Sequence, residues 1–234
     1  MNTKKQVLIL LLVVGLLALA GCQQAQENTI DVQGSSELNV KPDQAEVWAG
    51  FTVVKANAKD AQNEANKIVN AIIGGLKEKS YTDIQTEQLS LYEERTWTEK
   101  EGSKVIGWRA SQTVKVKTTN LGSVGEIVDI AVTGGANQIN NIQFELSNAK
   151  EQEYKQKALA EAATSAKAKA ETIAQSLGVK LGKIKTVSES NFGYVPYVYG
   201  MEKAVGAAAV EEAATVMPSD VTVTANIQLV YYVK

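Results

Sequence analysis

The spacing of apolar residues along this chain switches between two periods, and this switching limits the possible fold more than any other feature. Four segments alternate between apolar and polar residues, as strands do when one face covers a core. These segments are residues 45–54, 83–94, 105–118 and 138–146. Residues 56–79 instead repeat apolar side chains every three or four positions, which predicts a helix. A second helix is predicted at 121–132, because Asn120 can cap it and Glu126 lies in an early turn. The resulting order, β-α-β-β-α-β, is that of a split βαβ, or ferredoxin-like, unit.

Three further strands and one long helix flank this unit. The strands are predicted at residues 30–40, 183–189 and 220–233, and the helix is predicted at 154–177. The apolar stripe of this helix is mostly alanine, so its neighbour must approach closely, and Gly178 ends it. The sequence therefore predicts one α+β domain at 30–234. In this domain, two long helices and one shorter helix cover one face of a mainly antiparallel sheet.

The N-terminus has the pattern of a lipoprotein signal. Two lysines precede an apolar run at 7–20, which is shorter than the roughly 20 residues that a transmembrane helix needs. The run ends in Leu-Ala-Gly-Cys, which resembles the bacterial lipobox, where the cysteine thiol receives a diacylglyceryl group and the preceding bond is cut. We expect a signal peptide at 1–21, lipidation of Cys22 and a polar tether at 22–29. The alternative is an uncleaved anchor with an incidental cysteine.

Composition removes several classes of chemistry. The chain has no histidine and one cysteine, which excludes histidine-based catalytic triads, histidine-ligated zinc and an internal disulfide. Its net charge of −2 gives no electrostatic basis for binding nucleic acid. We expect no catalytic residue, no cofactor, no metal and no nucleic-acid partner.

Two groups of side chains on the central strands are candidates for a site. Glu93 and Glu94, near Trp97, could form a carboxylate pair that faces a sugar. Neighbours on a strand point to opposite faces, however, which favours a solvated strand end. Tyr92, Trp97 and Trp108 lie on two strands that a polar loop joins. They indicate either a ligand platform or cross-strand aromatic packing, of which packing is the commoner outcome.

Two other groups lie near these strands and near the C-terminus. Lys115 and Lys117 alternate with valines, which favours a solvated strand face over an anion site. Residues 191–218 are rich in glycine, alanine and tyrosine and predict a low-complexity loop. The tyrosines that precede its alanine-rich part are Tyr194, Tyr197 and Tyr199. They indicate either a surface that touches lipid or a partner subunit, or a disordered insertion.

Four segments in order carry a resemblance to a known family. The first is G-S-S-E at 34–37 leading to V-K-P-D-Q-A at 40–45, where Ser36 stands in place of a second glycine. The others are D-I-Q-T at 83–86 with L-S-L-Y at 89–92, I-G-W-R-A at 106–110 with G-A-N-Q-I at 135–139, and the alanine-rich run at 158–182. Together they resemble the SIMPL-domain family, which includes bacterial periplasmic immunogenic and oxidative-stress-defence proteins.

The resemblance implies an extracytoplasmic α+β subunit, and some members of the family assemble into rings or channel-like oligomers. It implies no catalytic residues, because none are established for the family. A protective role under stress is implied for some members without a settled mechanism.

These observations favour a non-enzymatic SIMPL lipoprotein, held by Cys22 on the extracytoplasmic face of a membrane and self-assembling. The strand at 220–233 follows the predicted loop and could reach a neighbouring subunit, or it could pair within its own sheet. One alternative is a solute-binding lipoprotein, a class that generally needs two larger lobes and acts as a monomer. Another is an envelope carbohydrate hydrolase that uses carboxylates.

Overall fold

Residues 27–199 and 217–234 are described by the computed structural model. Their strands are β1 (Thr29–Val40), β2 (Gln44–Lys55), β3 (Ile84–Thr98), β4 (Gly102–Thr118), β5 (Gln138–Glu145), β6 (Leu181–Val195), β7 (Tyr197–Val198) and β8 (Val221–Val233). Their α-helices are α1 (Ala58–Glu78), α2 (Val124–Thr133) and α3 (Asn148–Leu177). The predicted α+β class, with two long helices and one shorter helix, is confirmed in these residues.

The split βαβ unit is confirmed as a five-stranded sheet with the order β3-β4-β2-β5-β7. Every pair of neighbours is antiparallel. α1 and α2 cover one face, where Val47, Val114 and Phe144 are buried together with Ile72 and Ile127. The helical periodicity of residues 56–79 therefore identified which face of α1 contacts the sheet.

The remaining long strands form a second sheet with the order β1-β8-β6, and α3 packs on it. The sequence predicts one sheet, whereas the structure divides the strands between two. β1 pairs with β8 along its whole length, from Thr29 opposite Tyr232 to Val40 opposite Val221. β8 therefore has a partner on both sides, so of the two alternatives for this strand, pairing within its own sheet is the one that the structure shows. Apolar alternation shows which face of a strand is buried but not which strand pairs with it.

α3 contacts this second sheet through the predicted alanine stripe. The buried alanines of the stripe, none more than 3% exposed, are Ala158, Ala162, Ala166, Ala170 and Ala174. Opposite them, Gly34 of β1 allows the strand backbone to touch the helix backbone. A Cβ atom at Gly34 would lie 2.0 Å from the carbonyl oxygen of Ala162. The hydroxyl of Ser36 donates to the carbonyl oxygen of Ala158 at 2.7 Å, so this residue also fastens the strand to the helix.

Several element boundaries and one predicted helix cap differ from the sequence prediction. α3 begins at Asn148, well before the predicted start at residue 154. The apolar periodicity missed its first turns because they carry few apolar side chains. Residues 191–195 end β6 and residues 197–198 form β7, so the first part of the predicted loop is strand. Residues 200–216 of that loop lie outside the described residues. Asn120 makes no side-chain capping hydrogen bond at the 3₁₀ turn that precedes α2.

The contact at Gly34 gives a stability prediction. Gly34→Ala should lower the free energy of unfolding by about 1–3 kcal/mol, because the new methyl group overpacks the helix backbone. Gly74→Ala is the matched control, since a Cβ at this position in α1 meets no atom within 4 Å. It should raise the free energy of unfolding by about 0.5–1 kcal/mol. Denaturant unfolding of both variants measures the difference. A Gly34→Ala protein as stable as the wild type would contradict the backbone contact.

Candidate functional site

The five-stranded sheet has a polar outer face, by which we mean the face turned away from α1 and α2. Side chains alternate along a strand, so every second residue of β2 points there. These residues are Glu46, Trp48, Gly50 and Thr52, and their partners in β4 are Lys117, Lys115, Thr113 and Ser111. One end of this row is charged and the other is uncharged, so the two ends are suited to different interactions.

The charged end is a network of cross-strand ion pairs. The Nζ atom of Lys117 lies 2.8 Å from the Glu46 carboxylate and 3.3 Å from that of Glu145. The Nζ atom of Lys115 lies 3.4 Å from the Glu87 carboxylate. The hydrogen bond to Glu46 raises the pKa of Lys117. The side chains of Lys115 and Lys117 are only 17% and 30% exposed, so the predicted solvated strand face is wrong.

The two adjacent glutamates of β3 do not form a convergent pair. An Nη atom of Arg95 lies 2.6 Å from the Glu93 carboxylate, whereas Arg109 of β4 donates to Glu94 at 2.7 Å. The hydrogen bond from Arg109 lowers the pKa of Glu94, so this carboxyl is ionised at neutral pH. A glycosidase acid instead needs a raised pKa. Each glutamate therefore has its own arginine, and the two lie inside β3 rather than at the predicted strand end.

The aromatic residues of β3 and β4 do not pack on one another across the strands. Tyr92 lies opposite Arg109, Trp108 lies opposite Glu93, and Trp97 lies near the end of the hairpin. Tyr92 is 49% exposed and Trp97 is 69% exposed. The predicted cross-strand aromatic packing is therefore wrong, because the register places charged residues opposite two of the aromatic side chains.

The three tyrosines of the predicted loop join the two sheets. The backbone N–H of Leu146 donates to the Tyr194 hydroxyl at 2.7 Å, and burial raises the pKa of Tyr194. Tyr197 contacts both hydrophobic cores, and its ring centroid lies 6.1 Å from that of Phe144. The backbone N–H of Tyr199 donates to a carbonyl of β5. All three tyrosines take part in internal contacts. They therefore form neither a surface for lipid or a partner subunit nor a disordered insertion, which were the two predicted alternatives.

Asp43 is a structural residue that the search for functional side chains missed. It follows β1 and accepts hydrogen bonds from the backbone N–H and the hydroxyl of Ser147, at 2.6 Å and 2.9 Å, where α3 begins. Lys150 lies 3.6 Å from the same carboxylate. Burial works to raise the pKa of Asp43, but the contacts with Ser147 and Lys150 outweigh it and the pKa is lowered. The P-D pair of the sequence motif contains this residue, so the motif was a signal for it.

Other sequence expectations concern anchoring and metals. Cys22 and the signal-like segment lie outside the described residues. Within residues 27–199 and 217–234, no helix is both long and apolar enough to span a membrane. The same residues contain no cluster of three or more potential metal ligands among histidine, cysteine, aspartate and glutamate.

The lowered pKa of Asp43 predicts an acid-sensitive contribution to stability. A carboxyl with a depressed pKa stabilises the fold above its unfolded-state pKa, and the contribution is lost as the pH falls through the folded-state pKa. The free energy of unfolding lost in Asp43→Asn should therefore shrink as the pH falls from about pH 5 to about pH 2, because the ordinary pKa of 3.8 is lowered in the folded protein. Urea unfolding at several pH values measures this loss, and Asp129→Asn on α2 is the matched control. A loss that stays constant over this range would contradict the prediction.

Comparison with known proteins identifies the family. The family model described as SIMPL, a protein of unknown function (DUF541), matches residues 30–231. The chain is 27% identical over 190 residues to uncharacterized protein YggE of Edwardsiella ictaluri, and the match covers 79% of each chain. It is 24% identical over 240 residues to the 26 kDa periplasmic immunogenic protein of Brucella melitensis, covering 96% of this chain and 94% of that one. The YggE protein of Escherichia coli K12 is 25% identical over 193 residues, with 79% of this chain and 78% of the relative covered. The family model covers most of the chain, which therefore belongs to the SIMPL family.

Proposed function

We propose that this chain is a non-enzymatic SIMPL lipoprotein, anchored through a diacylglyceryl group on Cys22 at the extracytoplasmic face of a membrane. The arrangement of lysines where the tether meets the domain carries the proposal. Val233 donates its backbone N–H to the carbonyl of Asn28, so the start and the end of the domain lie side by side. The tether therefore leaves the domain beside the C-terminus.

Four lysines lie at this end of the second sheet. They are Lys180, Lys183, Lys185 and Lys234. Lys180 and Lys234 exchange two backbone hydrogen bonds, and Lys185 forms an ion pair with Glu27. Each lysine near an anionic lipid surface contributes about 1 kcal/mol of attraction. Because Glu27 already pairs with Lys185, a domain tethered at this end places the positive charges of Lys180, Lys183 and Lys234 near the membrane that holds it.

The printed name of the Brucella relative supports the extracytoplasmic side, since that protein is described as periplasmic. The ion pairs of the sheet support a non-catalytic role. Glu46 on the central strand β2 and Glu94 on the edge strand β3 each form ion pairs with neighbouring lysine or arginine side chains. A carboxylate held in this way is a poor proton donor. A role under envelope or oxidative stress is proposed from the family resemblance.

The anchor is tested by Cys22→Ala. This variant should lose incorporation of a fatty-acid label and should retain the signal segment, because the thiol that receives the lipid is gone. Membrane fractionation, mobility on a denaturing gel and labelling with a palmitate analogue measure these effects. Gln24→Ala, in the same tether, is the matched control and should behave as the wild type. A Cys22→Ala protein that is labelled and fractionates like the wild type would refute the anchor.

We also propose that the subunit associates with further copies of itself through the hairpin of β3 and β4. The last residue pair between β2 and β4 is Lys55 with Trp108, so the residues beyond it pair only within the hairpin. We call residues 93–107 the arm. Trp97 is 69% exposed and Ile106 is 56% exposed on the arm. β3 is also an edge strand of the described sheet, with unpaired backbone groups along its outer side.

A second copy fits the arm because its surface combines apolar side chains with charges of both signs. Besides Trp97 and Ile106, it carries Glu93 and Arg95 as an ion pair and Lys104 paired with Glu101. Exposed apolar side chains beside an open strand edge are typical of surfaces that pair with another chain. This arm replaces the terminal strand as the proposed contact between subunits.

Light scattering on the unlipidated fragment 23–234 at micromolar concentration tests the association. The wild type should have a mass of several subunits, and the double variant Trp97→Ser, Ile106→Ser should have a mass near one subunit. Val132→Ser is the matched control, because Val132 is also exposed but lies on α2. It should leave the mass unchanged. A wild-type mass near one subunit throughout the range would overturn self-association, whereas an oligomeric double variant would exclude the arm.

A further inference from the structure

The uncharged end of the outer face forms an open groove of about 470 Å³. Four strands contribute to it, and the side chains that point into it carry amides and hydroxyls. They include Thr52, Ser90, Ser111, Thr113, Gln138 and Asn140. Gly50 lies between Thr52 and Trp48 on the same face, and its lack of a side chain makes room for the amide of Asn140.

Two irregularities in neighbouring strands shape this groove. In β3, Gln88 and Leu89 face the single residue Gln112 of β4, so the strand bulges at this point. Gln88 has a φ of 53°, a left-handed conformation that is unfavourable for residues other than glycine. Bulges and strained backbone occur preferentially beside functional sites, where they redirect side chains. Leu89, 68% exposed, is the apolar residue that this bulge presents.

The second irregularity lies in β5. The register shifts by one residue between Trp48 and Ala49, so Asn140 is the extra residue on the opposite strand. Its side-chain nitrogen donates to the Thr113 hydroxyl at 3.0 Å, and a Cβ at Gly50 would lie 2.7 Å from that nitrogen. The amide of Asn140 is therefore fixed above Gly50, while its oxygen and second N–H remain available at the groove.

Among the described residues, no charged side chain lines this groove, and the nearby charged groups of the sheet have partners elsewhere. Lys115 is engaged with Glu46 and Glu87, and Arg109 is engaged with Glu94. The polar side chains that line the groove and can contact a ligand are consequently neutral amides and hydroxyls. Amides and hydroxyls each combine donors with acceptors, which matches sugar hydroxyls because these also donate and accept. The groove lies on the face of the sheet, so an extended peptide would find no strand edge with which to pair there.

We propose that this groove binds a neutral saccharide, with Gln138 and Asn140 donating to and accepting from its hydroxyls and Leu89 contacting the apolar face of a sugar ring. The proposal does not depend on the lipid anchor or on self-association. It adds a ligand class to a protein whose outer face is otherwise filled by ion pairs.

Isothermal titration calorimetry on the detergent-solubilised full chain tests the groove. The probes are chitotetraose, cellotetraose and maltotetraose, which are neutral and differ in linkage and in N-acetyl groups. At least one should bind saturably with a Kd below about 1 mM. Gln138→Ala and Asn140→Ala should each raise that Kd about tenfold, the change expected from losing one or two hydrogen bonds.

Gln85→Ala is the matched control, since Gln85 is an exposed glutamine of β3 outside the groove. It should leave the Kd unchanged. Gln138 is exposed, so Gln138→Ala should keep the wild-type melting temperature. Asn140→Ala loses the hydrogen bond to the buried Thr113, so its titration is run at a temperature at which circular dichroism shows the variant to be folded. Failure of all three probes to bind saturably would overturn the proposal. Binding that survives both groove variants would overturn it as well. Cys22→Ala should retain binding, which separates this result from the test of the anchor.

Discussion

The close contact between α3 and β1 is the interaction on which the second half of the structure depends. An alanine stripe buries little surface per residue, so it stabilises a sheet only where the helix approaches closely enough for many short van der Waals contacts. Gly34 permits this approach, and Ser36 adds a hydrogen bond to the helix backbone. The same helix also covers β8, which holds the first and last strands of the domain side by side. The tether consequently enters next to the C-terminus.

The two sheets have separate cores but are joined by a small set of contacts. Asp43 follows the last residues of β1 and binds Ser147 at the start of α3. On the other side, the chain leaves β6 and passes through Pro196 into β7, which adds to the five-stranded sheet. Tyr197 contacts both cores at that crossing. The junction between the two sheets therefore combines a charged contact, a shared chain segment and apolar packing.

The outer face of the larger sheet separates two kinds of polar chemistry. At one end, cross-strand pairing places lysines next to glutamates, and these side chains form ion pairs within the sheet. At the other end, bulges in β3 and β5 interrupt the regular register around Gly50 and leave neutral polar groups at the surface. A regular sheet would place the side chains of all four strands in flat rows. The two bulges instead produce a groove, and its neutral lining limits the ligands that it suits.

The sequence by itself determined the order of the long elements, the buried faces of the two long helices and the family, because these depend on local periodicity and on motifs. Only the tertiary structure decided that the strands form two sheets and that β8 lies between β1 and β6. It also decided that Lys115 and Lys117 are paired and that Tyr194, Tyr197 and Tyr199 join the sheets. Periodicity fixes which way a side chain points along its own strand, but strand partner and register are set by contacts between residues distant in the chain. Strand pairing therefore decides which charged and aromatic side chains lie next to each other across strands. No local sequence pattern specifies that pairing.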